Sequence, residues 1–381
     1  LLLLGLRDPA LRAVDATELC PRLVRRATRL PWACRVQRVA TVDRLVNRFW
    51  DYPRWLRSQT ADFDLFHIVD HSYAHLTAEL PAHRTVVMCH DLDAFEAALP
   101  GASRRSPLAR AMARRLIAGV RRAARVVCGS RATRDALVEA GVVPASRVVV
   151  VPYGVHPTCS PRPDLLADAE ADALMGPPDP EVPEILHVGS VVPRKRLDVL
   201  LDVFAGIRVR HSRARLIRVG GPLTGAQRLQ AARLGLTDHI VTLPFVDRRV
   251  LAAVYRRAAL VLQPSDREGF GLPVAEAMAC GTPVVASLLP ALCEAGGYAA
   301  VYCRVGDRQV WTDTVNGLLD ERARRPEMWE RRRADSMHAA RRFDALSHAR
   351  GMIEVYRDML PGRIPEFEQA PEPTFQLVRA R

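Results

Sequence analysis

Lysine is nearly missing from this chain: of 55 basic residues among 381, only Lys195 is lysine and the rest are arginine. Aromatic residues make up 6%. The eight cysteines, Cys20, Cys34, Cys89, Cys128, Cys159, Cys280, Cys293 and Cys303, are scattered and form no C-x-x-C pair. That excludes a zinc ribbon or a dense disulfide framework and suits reduced thiols. No apolar run approaches the roughly 18 residues of a membrane-spanning helix. The opening Leu1-Leu2-Leu3-Leu4-Gly5-Leu6 is too short to span. It also lacks the basic lead-in and the small-residue cleavage site of a secretory signal. These absences leave a cytoplasmic protein as the expectation.

The net charge of +13 admits nucleic acid, an anionic membrane surface or an anionic substrate as partner. Arginine in place of lysine throughout points as much to a coding bias. No basic motif interleaved with aromatics accompanies the charge, so no nucleic-acid partner is expected. Lys195 stands out against the habit of the sequence, as a position that needs a compact ammonium where a planar fork would not serve. The stretch Arg104–Ala124 is basic and amphipathic, with Leu108, Met112, Leu116, Ile117 and Val120 among its arginines. Such a helix either rests on anionic lipid at the inner face of a membrane or packs on the core with a solvated basic back.

Strand-like apolar runs at Asp64–Asp70, Thr85–His90, Arg125–Gly129 and Arg147–Pro152 alternate with helix-like segments such as Arg131–Ala140. Pro157–Pro183, rich in proline and acids, reads as a linker. A second series follows at Ile185–Gly189, Leu216–Gly220, Ile240–Leu243, Leu260–Gln263, Pro283–Ala286 and Ala299–Cys303. Met328–Leu360 reads as helical. Alternation of this kind implies parallel sheets with right-handed crossovers. The fold class expected is therefore α/β, with two Rossmann-like doubly wound parallel-sheet domains facing across a cleft. Residues 1–156 form the first, 157–183 the linker, 184–340 the second, and 362–381 a tail. The chain opens on what looks like the end of a helix, so the first strand of its first domain is expected to be missing.

Ligands of open parallel sheets sit beyond the carboxyl ends of the strands, and chemistry is sought there. The densest string is Pro264-Ser265-Asp266-Arg267-Glu268-Gly269-Phe270-Gly271-Leu272-Pro273-Val274-Ala275-Glu276-Ala277-Met278-Ala279-Cys280-Gly281. Gly269 and Gly271 allow a sharp turn and close approach of amides. Pro273 suits a helix start and Gly281 its end. A glycine turn feeding a helix N-terminus is an anion site. Glu276, early in that helix, can accept two ribose hydroxyls, and Glu268 can hold sugar hydroxyls beyond the phosphates. The plainer alternative is a capped strand–turn–helix with two surface glutamates. In a second string, His187-Val188-Gly189-Ser190-Val191-Val192-Pro193-Arg194-Lys195, a strand ends at Gly189 and two cations follow. Fixed cations stabilise a departing diphosphate more in the transition state than in the ground state. Gly220-Gly221 also follows a strand. In the first half, Val87-Met88-Cys89-His90-Asp91-Leu92-Asp93 ends a strand with His90 and Asp91 toward the cleft. Asp91-Leu92-Asp93 has a D-x-D form, and His67, His71 and His75 recur every fourth residue. The cations cover the phosphates and the histidines fall on a strand, so no metal is expected.

The string E-x7-E within E-G-F-G-L-P-x-x-E-A-M-A-x-G-x-P-V-V resembles the hallmark of retaining glycosyltransferases of the GT-B fold, family 4. Val254-Tyr255-Arg256-Arg257-Ala258-Ala259 fits that family's Y-x-x-A-D region apart from Ala259. The resemblance implies a nucleotide-sugar donor on the second domain and an acceptor on the first. It implies that Arg194 and Lys195 hold the diphosphate, with Ser190 standing where the family carries an arginine. Glu268, Gly269, Phe270, Gly271, Leu272, Gly189, Gly220, Val246 and Glu276 would bind the donor, and His90 would lie beside its sugar. His71 and Asp91 would face the acceptor. Phe343-Asp344-Ala345-Leu346-Ser347 resembles the closing segment, so a helix over 341–361 should cross back to the first domain. The activity implied is metal-independent transfer of a hexose to a glycan or lipid-linked glycan, with retention of configuration. Members with a P-R-K string often act in surface polysaccharide assembly and often use GDP-mannose, so the resemblance leans toward mannose. A UDP-sugar 2-epimerase of a related fold and a basic nucleic-acid binder are the alternatives.

Overall fold

The computed structural model describes residues 2–4, 14–15, 46–59, 63–99 and 106–361. Arg104, Arg105, Cys20, Cys34 and the tail 362–381 lie outside the described residues. Twelve described strands form two six-stranded sheets. The first sheet contains β1 (Leu2–Leu4), β2 (Val14–Asp15), β3 (Leu65–Ile68), β4 (Thr85–Cys89), β5 (Arg125–Cys128) and β6 (Val148–Val150), in the order β2-β1-β3-β4-β5-β6. β3 to β6 are parallel. The opening leucines, expected to end a helix, instead form β1, antiparallel to β3 with Leu2 opposite His67.

The second sheet contains β7 (Glu184–Val188), β8 (Arg215–Val219), β9 (Ile240–Leu243), β10 (Leu260–Gln263), β11 (Val284–Ser287) and β12 (Val301–Cys303). All its pairs are parallel, in the order β12-β11-β10-β7-β8-β9. The strands are apolar because helices cover both faces. Strand order reverses between β7 and β10, and at such a switch point the loops diverge and leave a crevice.

Helix α1 (Pro107–Arg122) buries Ala113, Leu116, Ile117 and Val120 on the first domain. Those residues pack on the core, whereas Leu108 stays exposed and Arg110, Arg114, Arg115, Arg121 and Arg122 face solvent. Gly119 allows the close approach: a Cβ there would lie 2.0 Å from the Ala74 carbonyl oxygen. Helix α2 (Arg131–Glu139) follows β5 and starts at Ser130, whose hydroxyl accepts the Thr133 N–H.

The segment 157–183 is not a linker. It holds α3 (Leu165–Met175), whose Ala167, Ala171 and Met175 are buried in the core of the second domain. Arg256 and Arg257 reach across to Asp168 and Asp172 and hold the helix down. The second domain continues with α4 (Leu197–Arg210), α5 (Leu272–Ala279), α6 (Pro290–Gly296) and a helix over Pro326–Ala340. The expected run Met328–Leu360 is broken at Arg341–Phe343, and Asp344 caps a fresh helix, α7 (Ala345–Met359). There the chain crosses back. The Val155 N–H donates to the Phe343 carbonyl at 2.6 Å. Met352 and Val355 of α7 pack on Leu65, Val86, Met88 and Val127 of the first sheet.

His67, His71 and His75 have three separate surroundings. His67 Nδ1 is 2.8 Å from the Tyr356 hydroxyl of α7. His75 Nε2 meets the Arg48 carbonyl at 3.0 Å. His71 lies beside Asp91. Burial pushes His67 down to about 3 and His75 to about 4. His187 is held at about 3 by burial, with Arg218 and Lys195 adding to it. An unfolded chain binds protons at these histidines from about pH 6.5 downward, while the folded chain resists until about 3 to 4. Their stabilising contribution is therefore complete above about pH 6.5 and falls as the pH drops from there toward 4. The urea midpoint is expected to decline over that window. A midpoint that is flat from pH 7 to 4.5 would contradict these buried neutral histidines.

Candidate active site

The crevice at the switch point is walled by the loop after β7 and the loop after β10. Backbone and side-chain bonds zip the loops together: the Asp266 N–H donates to the Arg194 carbonyl at 2.9 Å, and Arg194 Nη1 donates to the Arg267 carbonyl at 3.1 Å. Each loop delivers a helix that starts at a left-handed residue. Arg196 (φ 49°) precedes α4 and Gly271 (φ 95°) precedes α5, and neither helix has a side-chain cap. The first N–H groups of an uncapped helix are available to an anion. Gly220 (φ 128°) crosses the first loop so closely that a Cβ would lie 2.0 Å from the Gly189 carbonyl oxygen.

Glu268 is the hub. Its side chain is 6% exposed and receives Lys195 Nζ at 2.6 Å and Arg194 Nη1 at 3.1 Å. Gln263 Nε2 and the Ser265 hydroxyl donate to it at 2.8 and 2.7 Å. Burial pushes this carboxyl up, but Lys195, Ser265 and Gln263 outweigh burial and leave it below its ordinary value. Glu276 sits one turn into α5 and accepts the Tyr255 hydroxyl at 3.0 Å. Burial raises its carboxyl. Val246 is half-buried against the second core and Phe245 is exposed.

The first domain closes the other side. The expected D-x-D carboxylates are engaged with cations. Arg194 Nε is 2.7 Å from Asp93, and Arg194 Nη2 is 3.6 Å from Asp91. Arg267 lies 3.3 Å from Glu96 and 3.8 Å from Asp93. Asp91 also lies 3.5 Å from His71 Nε2. Burial raises Asp91, but His71, the Asp93 amide and Arg194 more than offset it. Burial and the Asp91 charge raise Asp93. A cavity of about 360 Å³ opens between the domains, lined by Asp91, Asp93, Ala136, Arg194, Arg267, Glu268, Gly269 and Pro290 among others.

The His90 ring is held by the protein itself: Nε2 faces the Val69 carbonyl at 2.8 Å and Nδ1 the Tyr153 hydroxyl at 2.5 Å. The carbonyl acceptor places the proton on Nε2. What His90 brings to the crevice is its carbonyl, pressed against Gly269. Phe270 turns its ring inward, edge-on to Tyr153 and Phe343 at 5.1 and 5.3 Å. Leu272 is partly exposed at the start of α5.

Sequence reasoning missed the contacts that hold the domains together. The hydroxyls of Ser130 and Thr133 both donate to the Gly269 carbonyl, the latter at 2.8 Å. Glu294 of α6 accepts the Arg131 and Ala132 N–H groups at 2.8 and 2.7 Å, capping α2 from the other domain. Gln263 and Ser265 carried a signal, as polar residues closing an apolar strand. Glu294 carried none.

Two parallel-sheet domains joined by a returning helix, with a glycine turn and bare helix ends at the switch point, define the GT-B class of fold. Solved structures agree. Sucrose-phosphate synthase from Thermosynechococcus elongatus superposes with a TM-score of 0.66 at 21% identity, covering 88% of this chain and 82% of that one. Anabaena HepE, solved with UDP-glucose, gives 0.66 at 18% identity over 91% and 96%. The Glycosyltransferase Family 4 model matches residues 12–158, and the Glycosyl transferases group 1 model matches 182–321. The chain belongs to glycosyltransferase family 4. Similar curated proteins include the D-inositol 3-phosphate glycosyltransferases of Nocardia farcinica (34% identity, 70% of this chain) and Kineococcus radiotolerans (34%, 65%). The chain spans 59% and 60% of the length of these two relatives.

Proposed function

We propose that this chain transfers a hexose, with retention of configuration, from a nucleotide sugar to a glycan or lipid-linked glycan. The observation that carries this reading is the arrangement at the switch point. Glu268 and Glu276 flank an uncapped helix N-terminus, and Lys195 and Arg194 stand in the facing loop. The diphosphate takes the bare end of α5 and Lys195, and Glu276 takes the ribose. The donor sugar and the acceptor hydroxyl meet in the cavity beside Glu268. No side chain there is placed as a nucleophile, so the acceptor attacks on the face the leaving group vacates, and the departing phosphate oxygen takes its proton. The protein contributes positioning and charge. Metal is not needed in this reading, because cations and helix N–H groups meet the phosphates and Asp91 and Asp93 are engaged with arginine.

Thermal unfolding with UDP, GDP and ADP, each with excess chelator, tests this. A ligand at about 100 times its Kd adds ~2.7 kcal/mol, a shift of several degrees. One nucleotide is expected to shift the midpoint, and Glu276→Gln should shrink that shift. A shift with GDP supports mannose as the sugar, and a shift with UDP replaces it with a UDP-linked hexose. A folded sample that responds to no nucleotide defeats the proposal.

A further inference from the structure

Arg218 interrupts an otherwise apolar central strand. Leu216, Ile217 and Val219 of β8 are buried, and Arg218 is equally so, at 1% exposure. Its register partner on β7 is His187, also fully buried. Arg218 Nη2 donates to the Gly189 carbonyl at 2.9 Å. Its Nε and Nη1 have no hydrogen-bond partner. Among the described residues no carboxylate pairs with it, and burial alone lowers its pKa. A fold gains nothing by keeping a guanidinium buried without a counter-ion.

The neighbourhood supplies a reason to keep it. The Gly189 turn begins the loop assigned above to the diphosphate, and Ser190, next in the chain, is uncharged. The loop's other cations are committed: Lys195 to Glu268, and Arg194 to Glu268, Asp93 and Asp91. Arg218 is the cation at this turn that no carboxylate neutralises. His187 beside it stays neutral and adds no competing charge.

We propose that Arg218 is a positioning residue for the donor's diphosphate: from beneath the turn it fixes the Gly189 carbonyl and supplies the positive charge that Ser190 does not. This rests on the donor-site reading above. The anion recognised is the phosphate chain, whatever base it carries.

The test compares the full chain with R218M and R218Q, measuring affinity for a nucleoside diphosphate, its monophosphate and its nucleoside. Without ligand, R218M should be as stable as the parent or more stable, because an unpaired buried charge is gone. Its affinity should fall about tenfold for the diphosphate, the size of a lost charge-assisted contact, less for the monophosphate and not at all for the nucleoside. R218Q, which keeps a polar side chain, should show the same phosphate-dependent loss, and R218K should recover part of it. An equal loss for all three ligands would make the role merely structural and overturn the proposal. Full retention of diphosphate affinity in R218M would overturn it too, leaving the donor reading intact. A parent chain that binds no nucleotide would remove both.

Discussion

Lys195→Ala is expected to lower kcat/KM by ~10²–10³, the usual cost of removing one preorganised charge from a developing anion. The ammonium is largely buried and held 2.6 Å from Glu268. It needs no reorganisation when the leaving diphosphate gains charge, and at a largely buried position its field is screened less than in bulk water. Because the charge develops in the transition state, the loss should appear in kcat more than in KM. Lys195→Arg should recover little. The ammonium lies against the Gly189 turn, where even a Cβ added to the glycine would stand 3.5 Å from the lysine side chain, and a planar fork has a different reach. Removing Lys195 also leaves Glu268 buried with Arg194 and two neutral donors, so its carboxyl should rise. Steady-state kinetics with saturating donor decide the matter. Activity within a factor of ~3 of the parent in Lys195→Ala would show that no transition-state charge is met there.

What could be read from the sequence is what lies close along the chain. The glycine turn, α5 and the two glutamates occupy one unbroken string, and Arg194-Lys195 follow a strand end within another. The strand–helix alternation carried the parallel sheets. The segment 157–183 misled because its prolines and acids hid a real period: Ala167, Ala171 and Met175 are spaced by four and form one buried stripe. Small alanines give a weak apolar signal, and that helix is held partly by Asp168 and Asp172 pairing with arginines far along the chain. The partners of Arg194 were illegible for the same reason. The diphosphate role expected for it rested on its place after a strand end and on the P-R-K resemblance, whereas Asp91 and Asp93 reach it only when the domains meet. His90 does follow directly on β4, but a strand end does not reveal that Tyr153 and Val69 take both ring nitrogens. β1 could not be foreseen, because a short leucine run has no period to distinguish strand from helix.

The domain contact itself yields the second large effect. Gly269→Ala is expected to lower kcat/KM by ~10² or more while leaving nucleotide binding largely intact. A Cβ at Gly269 would stand 1.7 Å from the His90 carbonyl oxygen and 2.8 Å from its carbon, both backbone atoms that no rotamer can move. Gly269 does not have a left-handed φ, so the harm comes from this contact and not from backbone strain. Relief requires the loop after β10 to back away from the first domain. That separates the Gly269 carbonyl from the hydroxyls of Ser130 and Thr133, and it pulls Glu268 away from the loop carrying Asp91 and Asp93. A displacement of about 1 Å at a positioned group is enough to cost ~10² in rate. The nucleotide contacts assigned to Lys195, Glu276 and the start of α5 all lie within the second domain and move together, so the nucleotide-induced thermal shift should survive. Measuring kcat/KM and the thermal shift on one Gly269→Ala preparation separates the two. Parent-like turnover would mean that the contact between His90 and Gly269 does not belong to the working state. Loss of the thermal shift along with turnover would mean that the glycine shapes the donor site itself and not the meeting of the domains.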